Sequence, residues 1–169
     1  MRAPVVGLAV LVVVGLGIAD PAPCAADAPI LDITGMVFVA SRGSANEVVL
    51  RARFAQMRSD SDQVQMQDVH TTVSSRDKRR GFEMTCERGE LDLETNDFYA
   101  EGKVRGTTDS GRVFTTQWVR YDHVDEVLFT DAPVVITEGA SSYRGGGFRY
   151  LVRERRFRLL GGASVVSTP

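Results

Sequence analysis

From Ile30 onward, apolar and polar residues alternate with a period of two, the pattern of strands that bury one face. EVVLRARFAQ places Val48, Leu50, Ala52 and Phe54 on one side, with Arg51 and Arg53 on the other. RVFTTQWVRYD sets Phe114, Thr116 and Trp118 against Val113, Thr115, Gln117, Val119 and Tyr121. GFRYLVRERRFRL sets Phe148, Tyr150 and Val152 opposite Arg149, Leu151 and Arg153, and FEMTCE turns Phe82, Met84 and Cys86 to one face. Turn-forming clusters separate these runs: Asp60-Ser61-Asp62, Arg88-Gly89, Asn96-Asp97, Asp109-Ser110-Gly111, Asp122-His123 and Gly145-Gly146-Gly147. Together they predict an all-β fold, a jelly roll or short solenoid of stacked antiparallel strands.

A longer period runs beneath the alternation. FYAEGKV (Phe98 to Val104), LFTDAPV (Leu128 to Val134) and LLGGASV (Leu159 to Val165) each end a strand-like run in a small or turn-forming residue and then valine. Their valines lie 30 and 31 residues apart, and a weaker copy, QVQMQDV (Gln63 to Val69), precedes them by 35. Such a period marks stacked supersecondary units, none of which buries its apolar face alone.

Ahead of the strands, Ala3 to Ala19 is an apolar run preceded only by Arg2 and the amino terminus. As a helix it would span about 25 Å, a little short of a bilayer core. Cys24 and Ala26 then occupy the −3 and −1 positions of a possible cleavage before Asp27. Pro21 and Pro23 argue against a lipoprotein signal. The chain divides into residues 1–26, a helical signal peptide or membrane anchor, a linker at 27–29, and a β-domain at 30–169. Either fate of the first segment exports the domain.

Composition changes this picture little. A 43% hydrophobic, 25% charged chain with net charge −2 is ordinary for a globular protein and offers no global field for nucleic acid. Loss of Cys24 with residues 1–26 would leave Cys86 alone, a buried thiol acting as a small hydrophobe. His70 and His123 lack partners at metal-ligand or nucleophile–base spacing, and Asp122-His123-Val124-Asp125 reads as a solvated hairpin tip. Glu87, Glu90, Asp92 and Glu94 read as the outer face of a strand rather than paired catalytic acids. No catalytic residue, metal site or cofactor is expected. Arg144, Arg149, Arg153, Arg155, Arg156 and Arg158 read as solvated strand edges, which also deter aggregation.

The large apolar side chains are the remaining signal. Phe54, Phe82, Phe98, Phe114, Trp118, Phe129, Phe148, Tyr150 and Phe157 form an inward set, either a plain core or an apolar trough for acyl chains. Gly147, last of three glycines before a strand, suggests a turn or bulge with positive φ. The final run, Leu159, Leu160, Gly161, Gly162, Ala163, Ser164, Val165 and Val166, would leave an open edge suited to strand addition.

The stretch FEMTCERGELDLETNDFYAEGKVRGTTDSGRVFTTQWVRYD, continuing through LFTDAPV and YRGGGFRY to RLLGGASVV, resembles the LptC family. The resemblance covers roughly Ile30 to Val166 and agrees with a single N-terminal apolar segment. It implies a β-jelly-roll open along a seam, a non-enzymatic module that holds the acyl chains of lipopolysaccharide inside and leaves the sugars in water. It further implies a periplasmic place at the inner membrane. Cargo would arrive from an ATP-driven ABC transporter and pass to an LptA-like bridge protein. By similarity, Gly147 would match the family's glycine-containing turn, and RFRLLGGASVV would join the bridge protein edge to edge. The alternative class is a structural β-solenoid that polymerises through its ends.

Overall fold

The computed structural model describes residues 28–42, 46–74 and 80–167. The apolar segment 3–19 lies outside them. Ten strands account for the described secondary structure: β1 (Ile30–Arg42), β2 (Asn46–Arg58), β3 (Gln63–Ser74), β4 (Arg80–Asp92) and β5 (Phe98–Thr108). They continue as β6 (Val113–Asp122), β7 (Val127–Thr130), β8 (Val134–Glu138), β9 (Ser141–Leu151) and β10 (Arg156–Ser167). All pairings are antiparallel and follow chain order, β1-β2-β3-β4-β5-β6-β7-β9-β10, with β8 continuing the line of β7 between β6 and β9. Among the described residues β1 and β10 do not pair, so the sheet stays open at both ends.

The repeated motif marks where the strands bend. Its small residue is Asp68 on β3 (φ 51°), Gly102 on β5 (φ 77°) and Gly161 on β10 (φ 69°). An unrecognised fifth copy, DITGMV at 32–37, supplies Gly35 on β1 with φ 73°. The left-handed region suits Gly and is tolerated by Asp, and each excursion interrupts the pleat. In LFTDAPV the interruption is complete. Pro133 offers no donor, and the strand is split into β7 and β8.

This row of bends creases the sheet, so that the halves on either side face one another across the core. Phe82, near the start of β4, meets Tyr121 at 5.8 Å and Tyr150 at 6.3 Å, although β6 and β9 are not its neighbours in the sheet. Phe114 of β6 packs on Phe148 at 5.3 Å and on Phe157 of β10 at 6.0 Å. These are edge-on or tilted contacts, the arrangements aromatic quadrupoles favour.

The phase of burial inverts across the crease. On β3 the buried residues are Val64 and Met66, then Val69, Thr71 and Val73; on β4 they are Gly81, Phe82, Met84 and Cys86, then Gly89 and Leu91. Arg88-Gly89 is therefore the middle of a strand and not a turn. β6 behaves alike: Phe114 points inward, and so do Val119 and Tyr121, which strict alternation had assigned to the opposite face. Gly145 to Gly147 also lie within a strand, β9, and Gly147 does not have positive φ.

The Tyr150 hydroxyl ties the two halves together by donating to the Gly81 carbonyl at 3.1 Å. Burial, reinforced by the Asp109 carboxylate, pushes its pKa up to about 12 from an ordinary 10.0. A phenol with a raised folded pKa contributes stability that is complete below pH 10 and lost as pH rises toward 12. At pH 11 the loss is expected to be about 1–2 kcal/mol from this group. Buried Cys86, raised from 9.0 to about 12 by desolvation, adds to the fall over its own range. Urea midpoints at pH 8 and pH 11 measure this, and Tyr150→Phe should show a smaller drop than the parent. An equal drop in both would remove Tyr150 from the account.

Candidate functional site

The inward aromatic set divides in two. Phe82, Phe98, Phe114, Phe148 and Tyr150 are buried in the core, and Phe157 packs half-buried on it, its ring 4.5 Å from that of Tyr150. Tyr121, fully buried and stacked on Phe98 at 5.2 Å, belongs with them. Its signal lay in the second phase, Val119 and Tyr121, that follows Gln117.

Trp118, Phe129 and Phe54 are corrections. Trp118 lies past the phase inversion and faces out beside Glu101; Phe129 alternates with buried Leu128 and Thr130. The two rings meet edge-on at 6.4 Å on the outer surface, where Tyr99 packs on Trp118 at 5.8 Å and the Arg149 guanidinium lies over Phe129. Phe54 follows buried Ala52 by two residues yet is 42% exposed, because the next inward residue is Ala55. Arg53 covers its ring at 5.2 Å.

Toward the two open edges burial becomes partial. Ile33, Met36 and Phe38 of β1, and Phe157 and Leu159 of β10, all pack on the core while remaining partly accessible. The interior is thus sealed in its middle and loosest at its two ends, toward β1 and toward β10.

Within β10 the register against β9 shifts between Leu160 and Ala163. Gly161 and Gly162 both have positive φ there, and Gly161 lies against the backbone of Gly146. Beyond this bulge, Ala163 to Val166 are exposed and pair only with β9. Leu159 to Val166 therefore belong to an edge strand.

On the outer face of the first half-sheet, cross-strand registers align side chains into two rows. One runs Asp32, Gln56, Gln65, Glu90, Tyr99; the other runs Thr34, Phe54, Gln67, Arg88, Glu101. They border a groove of about 490 Å³. The Gln56 amide donates to Asp32 at 2.8 Å, and Arg88 Nε donates to Glu101 at 2.7 Å. Burial and the Glu101 carboxylate push the Tyr99 pKa up, so its hydroxyl remains a donor at neutral pH. No sequence reading singled out this groove. Only the strand register assembles it.

Elsewhere the titratable groups are structural. The Cys86 thiol is buried, with a pKa too high for a nucleophile at neutral pH. His123 is 3% exposed rather than solvated, its backbone N–H held by Asp97 at 2.9 Å and its ring near Tyr121. Among the described residues no three His, Cys, Asp or Glu side chains converge to hold a metal. The C-terminal arginines are partly engaged, Arg153 with the buried Glu126 at 3.0 Å and Arg155 with Asp109.

The family model described as "Lipopolysaccharide-assembly, LptC-related" matches residues 49–166, well over half of the chain. No curated protein matches it.

Proposed function

The chain belongs to the LptC family, whose members serve lipopolysaccharide transport, and from that premise we propose that it is a non-enzymatic transfer module. In this reading the domain stands in the periplasm at the inner membrane. It receives lipopolysaccharide from an ABC transporter of the export complex, holds the acyl chains between its two half-sheets, and passes the molecule to an LptA-like bridge protein at β10.

The observation that carries this reading is the pair of open ends. β1 and β10 do not pair, and the apolar side chains facing inward from them are the least tightly buried part of the interior. An acyl chain entering there would cover surface that the sheet leaves wet, a gain of about 25 cal/mol per Å² of apolar area removed from water. The saturated middle of the core would need only to part, not to unfold.

The test is site-specific photo-crosslinking in cells. A crosslinker replacing Phe157, which packs half-buried on the core at the β10 end, should yield an adduct detected by a lipopolysaccharide antibody. One replacing Val37, exposed on the outer side of β1, should not. Equal labelling at both positions, or none at Phe157, would sink the proposal. The two open edges also favour a second reading, a structural protein that polymerises edge to edge. Sedimentation of the isolated chain separates the two, because filaments growing with concentration belong only to the latter.

A further inference from the structure

The groove on the outer face has its own chemistry, separate from the apolar interior. β3 runs through its centre and presents Gln65 and Gln67, whose side-chain amides bond no protein group among the described residues. Each amide carries one acceptor and two donor hydrogens, the pairing that a ring hydroxyl satisfies in both directions. On the flanks, the Gln56–Asp32 and Arg88–Glu101 pairs hold their carboxylates in place while leaving acceptor capacity free. Tyr99 supplies aromatic surface on β5, and Phe54 on β2 supplies the part of its ring that the Arg53 guanidinium leaves open. Phe54 is there because the β2 phase inversion turns it out of the core.

Charge narrows the ligand. Among the described residues that line the groove, Asp32, Glu90 and Glu101 outnumber Arg88, with Arg53 beside it over Phe54. A phosphorylated or carboxylated ligand would meet a field of its own sign. A neutral, hydroxyl-rich ring meets planar hydrogen-bonding groups and an apolar face. The volume lies within the range of small-ligand sites.

We propose that this groove is a binding site for a neutral saccharide, and that its occupant is the uncharged sugar portion of the transported glycolipid. The identity of the occupant rests on the transport function proposed above; the saccharide chemistry of the site does not. The sugars would then lie against the outside of the half-sheet whose inner face receives the acyl chains.

Trp118 is the only tryptophan and packs on Tyr99, so its fluorescence reports on the groove. The full chain, purified in a detergent without a sugar headgroup, is titrated with the lipid-free, dephosphorylated oligosaccharide of lipopolysaccharide. A saturable change is expected in the wild type, and inorganic phosphate should not reverse it. Gln65→Ala combined with Gln67→Ala, both exposed and harmless to the core, should weaken binding about tenfold. Phe54→Ala should weaken it about fivefold, roughly one such contact. Absence of saturation, unchanged affinity in the double variant, or displacement by phosphate would each overturn the assignment. Crosslinking from Phe157 distinguishes the two proposals: lipid captured there without oligosaccharide binding removes the groove alone, and the converse removes the transfer reading and the identity of the occupant while leaving the saccharide site.

Discussion

Gly147→Ala is expected to lower the melting temperature by roughly 6–12 °C, the equivalent of about 3 kcal/mol in a domain of this size. The reason is backbone crowding. A β-carbon on Gly147 would stand 2.5 Å from the Thr130 carbonyl oxygen and 2.9 Å from the Asp131 Cα. Both atoms belong to the chain where β7 ends ahead of Pro133, and neither can swing aside as a side chain would. Relief requires moving β9 away from β7, and the next residue is Phe148, which anchors the packing of Phe114 and Phe157. Gly162→Ala is the control. Its φ of 83° makes alanine costly by about 1 kcal/mol, but nothing lies within 4 Å of the added carbon. Thermal melts of the two variants should differ severalfold in their shifts, and a Gly147→Ala protein as stable as the parent would refute the steric account.

Adjacent prolines in β10 should abolish bridge-protein capture in one case and perturb the fold in the other. Along an antiparallel strand, successive N–H groups point alternately to the two sides. Ser164 and Val165 are consecutive and pair with Arg144 and Tyr143 of β9. One of their N–H groups therefore serves β9 and the other faces the open edge. Proline at the first kind of position removes a ladder bond; at the second it removes only the donor offered to an incoming strand. Of Ser164→Pro and Val165→Pro, the variant that keeps the parental melting temperature is expected to bind an LptA-like protein at least about tenfold more weakly. Undiminished capture by that variant would move the docking edge to the start of β1, Ile30 to Thr34.

The strands, their antiparallel order and the inert Cys86 were legible because period-two alternation depends only on near neighbours. The 30-residue repeat was legible too, and it marks the line along which the sheet creases. The faces of individual side chains beyond that line were not. On β6 the sequence TTQW inverts the buried phase with no glycine to announce it, so Trp118 and Tyr121 exchange sides. Phe129 sits on a four-residue strand, too short for alternation to declare its face. Gly147 was identified as special for the wrong reason, since the atoms that forbid a side chain belong to Thr130 and Asp131 on another strand. The outer groove draws on five strands and exists only once their registers are known.

The nearly sequential pairing of the sheet bears on how the domain is built. Each strand after β1 pairs with the one just before it, except β8, which reaches back to β6, so a chain delivered N-terminus first extends its ladder as it emerges. Such nearest-neighbour growth keeps the entropy of loop closure small at every step, a condition for rapid folding in an all-β protein. The contacts across the crease are the exceptions, among them the hydrogen bond from Tyr150 to Gly81, which closes a span of 69 residues. Assembly should therefore end with a docking step late in β9, preceded by a partly built sheet whose apolar face is still open to water. In that interval the protein would be most vulnerable to aggregation and proteolysis.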